Sequence, residues 1–226
     1  MFNMMPTTKL CQPDHVRIDG DSTLLGFPAL RTRNENPRPF SFTADLEWAT
    51  SRSDSMDDLG PQDIMHLNAA EGWLGLGNVI EADKELKQIT PAMREHPEVL
   101  AVRYEMMAKA ECWHTCEEIA DYLVVLVPES SFGWIRRSYA LHEQKLTGTA
   151  RMKLLPAVDL FPDEILIRYN LACYECVLEN MSQAKVHLAA AFTLAQNQKC
   201  FDQWKANMLA DPDLKPLWDM WDEVEI

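Results

Sequence analysis

Trp134-Ile135-Arg136-Arg137-Ser138-Tyr139-Ala140-Leu141, followed by Ala150, Leu154, Ala157 and Pro162, is the clearest of four related stretches in the chain. Its small and apolar positions recur at a spacing of 34 residues: Ala82, Cys116, Ala150 and Ala184 form one column, Leu86, Ala120, Leu154 and Leu188 a second, and Ile89, Leu123, Ala157 and Ala191 a third. Offsets of four and then three place each trio on one face of a helix. Two more columns, Ala70, Tyr104, Ser138, Ala172 and Trp73, Met107, Leu141, Glu175, run through the first half of each unit. Unrelated helices would not keep these columns in register over four units. A fixed period of this length marks a stacked-repeat architecture.

The period divides the chain into units at 63–96, 97–130, 131–164 and 165–198. Each holds two helical stretches of about a dozen residues with a short break between them. Leu76-Gly77-Asn78 is the clearest break, because Gly and Asn tolerate the left-handed conformation such turns need; Glu111, Lys145 and Glu179 stand in its place later. Thr90-Pro91 and Pro97 predict that the second helix of the first unit ends early, before a short extra turn, and Pro156 predicts a kink in that of the third. One helical hairpin cannot cover its own apolar faces, whereas stacked hairpins bury a continuous core, so the expected fold is an all-α solenoid. Residues 199–226 read as its terminal cap: Phe201, Trp204 and Met208 share one stripe, and Trp218 and Trp221 are expected to fold back onto it.

Residues 1–60 differ in character. Six prolines from Pro6 to Pro61, scattered Gly, Asn, Asp and Ser, and no sustained period predict a poorly ordered extension, with Asn34 to Pro39 as an extended linker. The apolar patch from Phe40 to Trp48 is read as part of that extension, with a docking segment as the alternative, and Met56 is an alternative start.

Hydrophobic residues make up 47% of the 226 and charged residues 25%, a globular balance. Lys and Arg total 21 against 35 Asp and Glu, a formal net charge of -14. That balance argues against binding nucleic acid or anionic lipid, both of which need Lys and Arg. There is no membrane-spanning apolar run and no secretory h-region, so a cytoplasmic protein is expected, with its six cysteines reduced.

The pattern resembles the tetratricopeptide repeat, a 34-residue unit with small residues where its paired helices pack closest and a proline near its end. The likeness covers residues 63 to about 196, and Trp134, Leu141, Ala150, Leu154, Ala157 and Pro162 match it best. Tyr169 to Cys176 and Asp211 to Trp218 are similar to stretches of small bacterial tetratricopeptide-repeat proteins. The resemblance implies that the first helix of each unit lines a concave groove for an extended peptide or a partner helix. Leu67, Glu71, Leu74, Ala101, Glu105 and Ala108 then form a small, acidic N-terminal half. Phe132, Ile135, Tyr139, His142, Leu166, Tyr169, Cys173 and Cys176 form an aromatic, apolar C-terminal half. Tyr139 and Tyr169 are the first candidates for partner contact, since aromatics give large contact area at low entropic cost. Packing against neighbouring units is the other reading of both. The acidic background selects basic partners. A subclass of the family grips a carboxylate with Lys, Asn and Arg; here Leu67 and Glu71 hold two of those positions, which argues against that mode.

The expected function is therefore non-catalytic protein–protein interaction, with no cofactor. Self-assembly, in which an N-terminal arm or an exposed repeat edge fills another chain's groove, is the alternative. A third reading rests on Cys173 and Cys176, whose spacing suits a metal; with no second such pair and a mid-helix position, buried structural thiols are favoured over metal or redox chemistry. No phosphate-binding Gly loop, G-x-S-x-G elbow or His-Glu-x-x-His motif is present, and His15, His66, His96, His114, His142 and His187 are scattered. His187 is expected on the surface.

Overall fold

The computed structural model describes residues 58–219, and over them the chain is helical with no strand. Four hairpins follow one another: α1 (Pro61–Gly75) with α2 (Val79–Gln88), α3 (Pro97–Lys109) with α4 (Trp113–Leu126), α5 (Ser131–Glu143) with α6 (Thr147–Leu154) and α7 (Ala157–Leu160), and α8 (Ile165–Val177) with α9 (Met181–Asn197). A cap follows, made of α10 (Phe201–Ala210), a 3-10 turn (Pro212–Leu214) and α11 (Lys215–Asp219). The second helices begin at Val79, Trp113, Thr147 and Met181, each 34 residues after the last. Pro61 and Pro97 occupy first turns, where a missing N–H costs nothing. Asn78, Ser130 and Glu164 cap α2, α5 and α8 through side-chain oxygens.

Every member of the three second-helix columns is buried, and so is every member of the Ala70, Tyr104, Ser138, Ala172 column. At about 1.5–3 kcal/mol for each large apolar side chain removed from water, these columns hold the hairpins shut and stack them. The fit is close where α5 meets α4: a Cβ on Gly133 would stand 2.9 Å from Val124 N and 3.1 Å from Leu123 C. Polar links cross the same seams. Tyr104 Oη donates to Arg136 O at 2.9 Å and Tyr174 Oη donates to Ser138 Oγ at 3.2 Å. Glu175, in a column otherwise held by Trp73, Met107 and Leu141, is buried but paired with Arg151 of the preceding hairpin at 3.3 Å and with Asn180 Nδ2 at 2.8 Å.

One turn geometry joins the two helices of every hairpin. Asn78 N donates to Trp73 O, Cys112 N to Met107 O, Leu146 N to Leu141 O and Asn180 N to Glu175 O, all at 2.8–2.9 Å. The residue before each donor has positive φ: Gly77 (77°), Glu111 (55°), Lys145 (64°) and Glu179 (62°). This is the Schellman stop, and tertiary packing imposes it on three residues that disfavour it.

The prolines act as their positions predict. The second helix of the first unit stops at Gln88 and a 3-10 turn, Pro91–Met93, follows. In the third unit the expected kink is a full break, α6 ending at Leu154 and α7 starting at Ala157. In the cap, Met208, Leu214 and Leu217 are fully buried, with Phe201, Trp204 and Trp218 packed against the same core. Trp218 Nε1 donates to Met208 O at 3.2 Å. The linker, the Phe40 to Trp48 patch, Met56 and Trp221 lie outside the described residues. No helix among the described residues is long and apolar enough to cross a membrane.

Candidate partner groove

α1, α3, α5 and α8 are the first helices of their hairpins: α1 touches α3, and α5 touches α8, alongside their own hairpin partners. Their surface positions repeat as the helices do. Ile64, Glu98, Phe132 and Leu166 occupy one repeat position near the start of each first helix. Ile64 is 43% and Leu166 36% exposed, Glu98 is exposed and Phe132 half-buried. The Phe132 ring meets that of Tyr104 edge-on at 6.2 Å. Arg136 lies over both rings and pairs with Glu105 at 2.7 Å, tying α3 to α5. Tyr139 is half-buried, edge-on to Trp113 at 5.7 Å. Phe132, Tyr139 and Leu166 thus keep open surface.

The other expected groove residues are placed differently. Ile135, Tyr169 and Cys173 are buried members of the core, as are Leu67, Leu74 and Cys176. His142 is largely covered. These residues do not line one open groove: Ile135, Leu67 and Leu74 are buried in the hairpin core, and His142, Tyr169 and Cys173 are met by the chain's own cap, whose 3-10 turn packs on α8. Tyr169 Oη donates to Asp211 Oδ2, with Cys173 Sγ at 3.8 Å from the same oxygen. Trp204 meets the Tyr169 ring edge-on at 5.8 Å. His142 Nε2 lies 3.0 Å from Asp213 Oδ2, and its Nδ1 lies 3.0 Å from Thr147 Oγ1. A carboxylate only accepts, so Nε2 carries a proton and donates it to Asp213. Asp211 Oδ1 also accepts from Asp213 N, which shapes the turn. Asp211 and Asp213 are the site residues that sequence reasoning missed. Their segment was noted only for its likeness to other chains, and the Asp-Pro-Asp spacing of a capped turn was the available signal.

Electrostatics in this region work against reactive thiols. Burial pushes the Cys173 thiol well above its ordinary value, with Asp211 and Asp213 adding to it, and pushes Cys176 up to about 11. A thiolate, the form that binds metal or attacks, is thereby disfavoured. Among the described residues no three His, Cys, Asp or Glu side chains converge to hold a metal ion. His187 is a second correction. It is buried in α9, not on the surface, with no hydrogen-bond partner at Nδ1, and burial, aided by Arg168, lowers its pKa.

The stacked hairpins, their shared turn and the closed C-terminal end define a tetratricopeptide-like α-solenoid. Solved structures similar to it include two of MamA. One is MamA residues 41 to the end from Desulfovibrio magneticus RS-1, at TM-score 0.53 and 16% identity over 74% of this chain and all of that one. The other is a MamA double mutant, RS-1 ArsTM, at TM-score 0.54 and 15% identity over 68% of this chain and 83% of that one. At such identities the likeness is one of fold. No family model and no curated protein matches the chain.

Proposed function

We propose that the chain is a non-catalytic, cytoplasmic interaction module that binds a segment of a partner protein along its inner face. Phe132, Tyr139 and Leu166 are the anchors. Ile135, His142, Tyr169 and Cys173 form the wall beneath and beside them, held in place by the cap. The observation that carries this reading is the open column: Ile64, Phe132 and Leu166 share one repeat position and keep apolar surface uncovered, while the columns that stack the hairpins are closed. Apolar burial drives such binding, so it survives moderate salt. Glu71 and Glu98, both exposed on the same layer, favour a basic segment and speed its encounter.

The test is affinity capture from native lysate with wild-type protein, a Tyr139→Ala/Leu166→Ala variant, and a Val186→Ala variant altered on the outer helix α9. A discrete species retained by wild type and by Val186→Ala but lost from the double variant supports the reading. Equal retention by all three moves the contact away from the inner face and overturns it.

A further inference from the structure

The repeat columns also show that the seams between hairpins are not built alike. The second and third hairpins are tied by named side chains. Tyr104 Oη donates to Arg136 O, Arg136 pairs with Glu105 at 2.7 Å, and Arg137 pairs with Asp121 at 3.0 Å. Gln144 Nε2 donates to Glu117 at 2.8 Å, and the rings of Trp113 and Tyr139 meet edge-on. Between the third and fourth hairpins Arg151 pairs with Glu175, Tyr174 donates to Ser138, and one apolar core runs from Ile135 to Leu217 of the cap.

At the seam between the first and second hairpins, the same repeat positions lack that chemistry. Ala70 stands in the place of Tyr104, Val102 of Arg136, Ala110 of Gln144 and Val79 of Trp113. Lys87 stands in the place of Asp121 and pairs with Asp83 of its own helix at 2.6 Å. Arg103, the counterpart of Arg137, is equally buried but makes no ion pair or hydrogen bond among the described residues. Burial lowers its pKa, with Asp83 pulling the other way. The polar side chains of the first hairpin bond inward instead: His66 to Glu85, Asp63 to Thr90 N, and Arg94 to Ile89 O and Lys87 O. Tyr122 Oη reaches Glu95 at 2.9 Å, at the connection itself.

We propose that the first hairpin is a movable element of the solenoid: it opens and re-docks as one cooperative unit against hairpins two to four, which with the cap act as a single body. What holds it closed is chiefly apolar burial, at Leu86, Ile89, Val99 and Leu100. Such burial is non-directional, whereas the bonds of the later seams fix one geometry. The Arg103 guanidinium opposes closure, because a charge taken out of water without a partner costs free energy that opening returns. Elements of low local stability open in units of this kind, often one supersecondary motif at a time. The seam lies where α1 meets α3, so the device does not depend on what covers the far side of α1. It divides the first-helix face into two parts. Glu71 travels with the first hairpin, while Phe132, Tyr139 and Leu166 stay on the fixed body. The device stands apart from the groove reading, since it needs no partner.

Native-state hydrogen exchange of the full chain, resolved by peptide, tests it. The expected result is that the amides of 61–88 open together, with protection about tenfold or more below that of 97–126 and of α5 and α8. One substitution then acts with opposite sign at two seams. Arg103→Leu removes an unpaired buried charge and places there the residue that the fourth hairpin already buries at this position, Leu171. Protection of 61–88 should rise about tenfold. Arg137→Leu removes a paired charge, and protection of 97–126 should fall. Lys87→Asp gives Arg103 the carboxylate that Arg137 has, and should act as Arg103→Leu does. Circular dichroism checks that each variant keeps its helix content. Equal protection of 61–88 and 97–126 in the wild type overturns the proposal. So does a protection of 61–88 that neither Arg103→Leu nor Lys87→Asp raises, which would make the opening mere fraying of a chain end.

Discussion

His142 Nε2 and Asp213 Oδ2, 71 residues apart in the chain, lie 3.0 Å from each other. The third hairpin thereby holds the turn that follows the capping helix, while Tyr169 of the fourth donates to Asp211 of the same turn. Asp211→Ala removes that acceptor and the cap on Asp213 N, and leaves a buried tyrosine hydroxyl without a partner. The expected cost is about 1–3 kcal/mol, accompanied by faster labelling of Cys173 by a thiol reagent as the turn opens. Asp213→Asn, whose amide oxygen still accepts from Nε2, should cost less. Thermal melts and mass-resolved labelling rates check both.

The shared turn makes a prediction of opposite sign. Glu111, Lys145 and Glu179 occupy the left-handed region that costs an L-residue roughly 1–2 kcal/mol. Each change to Gly should raise stability by about 0.5–1 kcal/mol, the gain being trimmed by the greater freedom of Gly in the unfolded chain. Gly77→Ala should lower it by about 1 kcal/mol. Denaturant midpoints at unchanged m-value are the readout.

Gly133→Ala is expected to be costly, because its methyl has no room. The added Cβ meets backbone atoms of α4 at 2.9–3.1 Å, not the free end of a flexible side chain. Hairpins two and three must part, at roughly 1–3 kcal/mol. Gly72→Ala, where the space is open, should be neutral or stabilising. A matched pair of melts separates steric cost from helix propensity.

His187 sets an acid limit on stability. Its folded pKa lies below the ordinary histidine value, so the unfolded chain takes up a proton at a higher pH than the folded one. Its contribution is complete above about pH 6.5, the unfolded value, and is lost as pH falls from there toward the folded pKa. His187→Leu removes both the titration and the unpartnered Nδ1. The melting temperature of this variant should fall less than that of wild type between neutral and mildly acid pH. Equal slopes for the two proteins would refute the assignment.

What the sequence made legible follows from what a period can carry. Ala82, Cys116, Ala150 and Ala184 are buried because every hairpin closes on the same face, so the fold could be read from their spacing. The turns at Glu111, Lys145 and Glu179 were legible only by register with Gly77, since their side chains give no sign of positive φ. Pro156 announced an interruption, and the break between Leu154 and Ala157 is its full form. The open part of the inner face, Phe132, Tyr139 and Leu166, was within reach of the same logic. The closed part was not. Tyr169, Cys173 and His142 repeat with the hairpins, but what covers them is the Asp211 to Asp213 turn, which occurs once and obeys no period. His187 likewise sits in a polar-looking stretch of α9, and its burial comes from tertiary packing that a single-helix reading does not capture.

On the proposed function, a partner docks on the first-helix face at Leu166. Placing a photo-reactive amino acid at Leu166 and, in a second protein, at Val186 on the outer layer, followed by irradiation in native lysate, tests it most directly. A discrete adduct is expected from position 166, competed by unmodified wild-type protein, and none from position 186. An adduct at 186 alone, or indistinguishable labelling from both positions, would contradict it.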